Sequence, residues 1–220
     1  MPRKTDCHLS ADFEISRPQE RILGDPISEW AEDWWEWVLQ GPRMDGNPQT
    51  DETGEFADVE NDGPVFFIAG TFGNPLNDPV ERSFEVPDGT PLLIPILNDI
   101  YITFNTDERP RALANNSLGD WKRSVEDLFL VIDGVEVKNL DSFFLRTDFF
   151  SPGRPEEGED GNLLGEFLGE LPPEEDLFPS RSAGYWVMVE DLAPGEHTIQ
   201  FGGTTSTGFS VNVIDTILVV

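Results

Sequence analysis

Residues 25–40 read DPISEWAEDWWEWVLQ, from Asp25 to Gln40, and hold four of the six tryptophans in a chain of 220 residues. At about 100° per residue, Ile27, Trp30, Ala31, Trp34, Trp37 and Val38 share one arc of a helix, with Trp35 and Leu39 on its shoulder. Glu29, Glu32, Asp33, Glu36 and Gln40 take the opposite side. Asp25 is placed to cap this helix, Pro26 to occupy its first turn, and Gly41-Pro42 to end it. Each buried indole removes about 150–250 Å² from water, an upper-bound gain of about 4–6 kcal/mol. That much apolar area predicts a core helix docked on a sheet. If any of the four tryptophans reaches a ligand, the shoulder position makes it Trp35.

Working outward, the helix is preceded by a mixed lead-in, with Phe13, Ile15, Ile22 and Leu23 available for packing and Arg17-Pro18 breaking any regular element. After it, residues 41–64 are rich in Gly, Pro and acids and read as a long surface loop. The remainder is punctuated β sequence. Val65–Ala69 is a short apolar run, 81–86 alternates, and 92–97 is apolar but carries Pro95, which points to an edge or a bulge. Residues 101–104 can extend that strand, and 109–123 reads as loop with some helix. Residues 128–132 and 135–137 flank Asp133-Gly134, the signature of a two-residue type I′ hairpin. Residues 142–150, 185–190, 197–201 and 210–220 complete the strands. Residues 151–184 form an acidic loop insertion with a short helical face of Leu163, Leu164, Phe167 and Leu168, read as a surface decoration rather than a catalytic lid. The expectation is one mainly β domain over 1–220, a β-sandwich or jelly-roll-like fold with an N-terminal tryptophan-rich helix and a short helix in the insertion.

Acidic residues number 43 against 14 basic ones, giving a formal net charge of −29. Nucleic acid and anionic membrane are therefore excluded as partners on electrostatic grounds. The acids are dispersed over the whole chain and Arg exceeds Lys, a pattern suited to molar salt, where the Debye length shrinks to about 3 Å. Cys7 is the sole cysteine, so no intrachain disulfide forms. The first ten residues lack an apolar signal region and no run approaches a membrane span, which reads as a cytoplasmic, soluble chain. Oligomeric state and partner are not encoded in any motif.

Several stretches taken together resemble an uncharacterised family of bacterial and archaeal proteins, mostly secreted. They are W-x3-W-W-x-W at 30–37, D-x-T-G at 51–54, G-P-V-F-F-x-A-G-T-F-G at 63–73, V-P-x-G at 86–89, P-x-x-N at 95–98, I-D-G-V-x-V at 132–137, and Y-W-x-M with L-x-P-G-x-H-T at 185–198. The resemblance implies no activity. It implies cysteines where this chain has Ala57 and Phe84, so the family's disulfide is missing here, in keeping with an intracellular variant.

Chemistry is sparse. His8 and His197 are the only histidines, too few for a histidine metal cluster, and His197 shares a strand side with Ile199 and Phe201, as a satisfied core histidine does. No phosphate loop, dinucleotide fingerprint or serine elbow occurs, so neither a cofactor nor a set of catalytic residues is assigned. Asp58, Glu60 and Asp62 place oxygens at alternate positions before Gly63, a fragment of a calcium loop lacking the full twelve-residue pattern. Asn98, Asp99 and Tyr101 beside Pro95 are the candidate lining of a cleft. Arg109 and Arg111, in a stretch that also holds Lys122 and Arg123, are candidate anion or partner contacts. The expectation is a non-enzymatic structural or binding domain adapted to high salt. The alternatives are a carbohydrate-active or other hydrolase using Asp/Glu in that cleft, and a calcium-binding protein.

Overall fold

The computed structural model describes residues 13–158, 161–169 and 177–220; Cys7 and His8 lie outside them. Three two-residue strands, β1 (Glu14–Ile15), β2 (Arg21–Ile22) and β3 (Asp25–Pro26), lead into helix α1 (Ile27–Gln40). Asp25 does not cap it. Asp25 pairs with Ile22 in a small β2–β3 ribbon, Pro26 takes the N-cap position, and no side chain caps the helix. Every residue assigned to the apolar arc is buried, and so are Trp35 and Leu39. Leu23 instead points outward at a left-handed backbone position, so of the lead-in only Phe13, Ile15 and Ile22 reach the core clusters.

The strands that follow are β4 (Phe66–Phe67), β5 (Val80–Val86) and β6 (Leu92–Phe104), then helix α2 (Pro110–Ser124) and strands β7 (Val125–Ile132), β8 (Val135–Glu136) and β9 (Phe144–Arg146). Helix α3 (Leu163–Leu168) precedes β10 (Leu177–Glu190), β11 (Gly195–Thr205) and β12 (Ser210–Val219). One sheet runs β1-β10-β6-β4, with β9 also on β10, and the other β5-β12-β11-β7-β8. Ile94, Leu97, Tyr185 and Val187 of the first sheet share a core with Leu130, Ile199, Phe201 and Val213 of the second. The chain is thus mainly β and sandwich-like. Leu93, Trp186 and Met188 project from the first sheet's other face into a second core with α1 and α3. The helix is therefore an outer layer on a two-sheet stack, built by period-2 alternation in β6 and β10 that feeds both faces.

Several sequence-based boundaries move. Pro95 sits at a bulge, one of the two places its sequence points to: Tyr185 pairs with Leu97 and Trp186 with Pro95, so Ile96 is the extra residue, and β4 pairs with β6 only at Leu92 and Leu93, short of the proline. Residues 110–124 form a full helix, because Ala114 and Leu118 bury against β6 and β10. Within 142–150 only Phe144–Arg146 is strand; Leu140–Phe143 is a 3-10 turn. The acidic insertion ends before residue 177, since Leu177 to Gly184 pair with Asn98 to Phe104 and belong to β10. Its helix is no free decoration either: Leu163 and Leu164 enter the tryptophan cluster, and Leu163 N–H donates to Gly41 O at 3.1 Å. Gly165 is needed inside that helix, as a Cβ there would lie 2.1 Å from Glu156 O.

The loop at 41–64 is more than a surface crossing, because buried Asn47, Gln49, Asp51 and Asn61 anchor it. Asn61 Nδ2 donates to Ala57 O and Phe67 O, and its Oδ1 accepts from Phe67 N–H, so an amide side chain supplies the strand partner that β4 lacks on that side. The hairpin has the geometry its sequence demands, with Asp133 at φ 50° and Gly134 at φ 74°.

Candidate functional site: a cationic shelf under α2

Helix α2 lies on β6 and β10 beside β9, with Trp121 tilted against Tyr185 at 6.4 Å. Its other faces carry Arg111, Asn115, Gly119, Lys122 and Arg123, while β9 and β10 bring up Arg146 and Arg181 in neighbouring rows. With Arg109 at the helix N-cap, six of the 14 basic residues of a chain of net charge −29 collect here: Arg109, Arg111, Lys122, Arg123, Arg146 and Arg181.

Two phenyl rings carry the cations. Arg111 and Arg181 lie 4.4 Å and 5.2 Å from the Phe149 ring centre, and Lys122 and Arg146 lie 3.6 Å and 5.9 Å from that of Phe144. Arg181 is further fixed by Nε donating to Thr147 O at 2.7 Å and Nη1 to Asn115 Oδ1 at 2.6 Å. Burial lowers its affinity for the proton, Arg146 and Arg111 add like-charge repulsion, and Asp148 opposes them. Like charges thus stand close together here, with Asp148 beside Arg181 and Asp120 on Arg123 as neighbouring acids.

Arg146 is where this shows in the hydrogen bonding. Its Nε is buried and has no partner, whereas Arg123 pairs with the exposed Asp120. A Cβ on Gly119 would sit 3.6 Å from both Arg123 Nη1 and Arg146 Nη2, so the glycine leaves open the space that two guanidinium ends face. A hollow of about 430 Å³ occupies it, lined by Asn115, Asn116, Gly119, Asp120, Arg123 and Arg146. Guanidinium forks of this kind match carboxylate, phosphate or sulfate oxygens.

The residues singled out in the sequence are dispersed around this shelf. Arg109 and Arg111 line a separate hollow of about 480 Å³ with Asn105, Pro110 and Ala112. Asp99 lies on β6 across Ala183 from Arg146, and burial pushes its carboxyl up to about 6, opposed by a hydrogen bond from Ile100 N–H. Tyr101 is half-buried opposite Arg181. Asn98 points to the sheet's other face, where its Nδ2 and Trp186 Nε1 are buried without partners around Gly184. Trp35 is 7% exposed and donates from Nε1 to Ser182 Oγ at 2.6 Å, so its polar edge is spent on the sheet. Asp58, Glu60 and Asp62 are exposed, and among the described residues no group of three or more His, Cys, Asp or Glu is gathered as a metal site. His197 is buried, with Nδ1 2.6 Å from Asp133 Oδ2 and Nε2 2.7 Å from Ala193 O, clasping the hairpin turn to the neighbouring loop.

Sequence reasoning missed Arg146 and Arg181, because their membership depends on β9 and β10 being neighbours, which no local motif announces. Comparison with known proteins finds no matching family model, no matching curated relative and no matching solved structure. Among the described residues no helix is long and apolar enough to cross a membrane.

Proposed function

We propose that this is a non-enzymatic binding domain adapted to high salt in a cytoplasmic setting, and that the α2 shelf takes an oxyanion borne by a small ligand or partner. The observation that carries the reading is Arg146: it is in no ion pair among the described residues, its Nε is buried without an acceptor, and its Nη2 lies at the opening above Gly119. A guanidinium without a carboxylate partner offers its outward nitrogens to an oxyanion, and charge-assisted hydrogen bonds of that kind are among the stronger ones. Contact hydrogen bonds of a fork also survive molar salt, which screens long-range repulsion from the acidic surface.

Calorimetric titration of inorganic phosphate and of acetate at about 1 M KCl tests this. One saturable site is expected, weakened about tenfold or more in Arg146→Ala and also weakened in Arg146→Lys, which keeps the charge but loses the fork. Absence of saturation by both anions, or equal binding by Arg146→Ala, overturns the reading.

Asp99 is the one observation favouring a hydrolytic reading, since a carboxyl at about 6 suits general acid–base work. Its shift comes from burial and a backbone contact, with no second carboxylate contributing, whereas glycoside hydrolysis uses a pair. Turnover of a glycan abolished by Asp99→Asn would replace the binding reading with the enzymatic one.

A further inference from the structure

Among the described residues His197 is the only histidine, and its partners fix how many protons its ring carries. β11 outruns β7: Ile199 pairs with Ile132, the last residue of β7, so His197, two residues further out, lies beside the turn at Asp133. Nδ1 is 2.6 Å from Asp133 Oδ2, and Nε2 is 2.7 Å from Ala193 O. A carbonyl oxygen only accepts, and so does an ionised carboxylate. A neutral imidazole has a single N–H, so it would turn a lone pair on one of these two oxygens at hydrogen-bond distance. Turning the ring over brings ring carbons to those same short distances, which no hydrogen bond supports.

We propose that His197 is an imidazolium in the folded protein and that its clasp is a proton-dependent latch, closed while both ring nitrogens donate. The two ends are unequal. The Asp133 contact is charge-assisted, and Asp133 is anchored twice more to β11, with Thr198 N–H donating to its Oδ1 at 2.9 Å and its own N–H donating to Thr198 O at 2.9 Å. When the ring gives up a proton, the one it keeps stays with Asp133. Ala193 O is released, and the loop before β11 loosens while the hairpin turn holds.

The surroundings favour the charged ring. Asp133 is the acid in contact with it. Glu196 and Thr198 are exposed where His197 is buried, as alternation along β11 requires, and Asp191 of the loop is exposed too. β12 sets Ile217 opposite His197, and the next acid on that side, Asp215, is taken up by Arg82. Over 92–97 and 185–189 the facing sheet turns one titratable group, Tyr185, into the shared core. Two acceptors that the unfolded chain lacks raise the ring's hold on its proton. The latch therefore stabilises fully below the ordinary histidine value of about 6.5 and is lost as pH rises through the folded one.

The test is a pH titration of the full chain labelled with ¹⁵N-histidine, in about 1 M KCl to screen the acidic surface. His197→Gln assigns the signals of His197 against those of His8. Both His197 ring nitrogens are expected to carry protons at about pH 7, and the amide signals of Leu192 and Ala193 to move with the midpoint at which one is lost. Asp133→Asn, which tolerates the left-handed turn, is expected to lower that midpoint by about one pH unit or more. The melting gap between wild type and His197→Gln is expected to narrow between about pH 6 and pH 9. Wild type alone decides the charge state: a single protonated ring nitrogen at about pH 7 overturns the proposal. Loop signals that ignore the titration, a midpoint unmoved in folded Asp133→Asn, or a melting gap constant with pH also overturn it.

Discussion

Arg82 takes an inward position of β5 where alternation alone asks for an apolar side chain, and it is 4% exposed. Its Nε donates to Asp215 Oδ1 at 2.9 Å, and its terminal nitrogens donate to the carbonyls of Pro48, Ala69 and Gly70. One guanidinium thus stitches β5 to β12 and both to the loop after α1. Burial pushes the Asp215 carboxyl up while Arg82 pulls it down and Asp51 adds to the rise, and Asp215 Oδ2 has no partner. Removing one member strands the other, at about 3–5 kcal/mol, whereas removing both need not destabilise. Arg82→Leu should therefore lose about that much in urea unfolding, and Arg82→Leu with Asp215→Leu should recover most of it; equal loss in both would show that the carbonyl contacts dominate. Asp99 gives a pH signature. Its carboxyl titrates at about 6 in the fold against an ordinary 3.8, so between those values the folded chain holds a proton that the unfolded chain has released. Its contribution to stability is full below 3.8, falls as pH rises through the window and is flat above it. Asp99→Asn should be the more stable protein by about 3 kcal/mol at pH 7 and converge with wild type near pH 4. Parallel stability curves for the two proteins would contradict the assignment.

At the scale of elements, the hairpin between β7 and β8 isolates a backbone effect. Gly134 has φ 74° and nothing within 4 Å of a built Cβ, so any penalty for a side chain there is conformational. Gly134→Val should cost about 1–2 kcal/mol in thermal unfolding, with Gly134→Asn milder; unchanged stability in the valine variant would mean the turn relaxes to another type. This turn and α1 were legible because each rests on local information: two residues that accept positive φ, and a 3.6-residue rhythm of indoles. β10 was not. Its first half, SRSAG, reads as loop, and only pairing with Tyr101 to Asn98 makes it strand, with Gly184 kept small by Asn98 and Trp186. The same long-range pairing hid the shelf. Arg109 and Arg111 drew notice because they fall close together in sequence, while Arg146 and Arg181 join them only through the β9–β10 row and the seat of α2. Arg82 escaped for a different reason: a strand position is read from its pattern, and a buried ion pair breaks the pattern that predicts it.

For the molecule as a whole, charge is the largest quantity that folding must manage. A net charge of −29 is drawn together in the compact state, and self-repulsion opposes it. The described ion pairs relieve little of this, because apart from Arg82–Asp215 and the His197–Asp133 clasp they lie at the surface. The proposed adaptation to high salt assigns the rest to screening, since the Debye length shortens from about 10 Å at 0.1 M to about 3 Å at 1 M. Sodium should serve as well as potassium, and calcium in the millimolar range should not replace either. The α2 shelf runs against that field, concentrating cations where the proposed oxyanion would complete them. Both features are read out by the melting midpoint of wild type and Arg146→Ala between about 0.1 M and 3 M KCl, with and without about 10 mM phosphate at the higher salt. The account predicts a midpoint that climbs steeply with KCl in both proteins, and a further rise with phosphate in wild type alone. A midpoint indifferent to KCl, or a phosphate shift of the same size in Arg146→Ala, would contradict it.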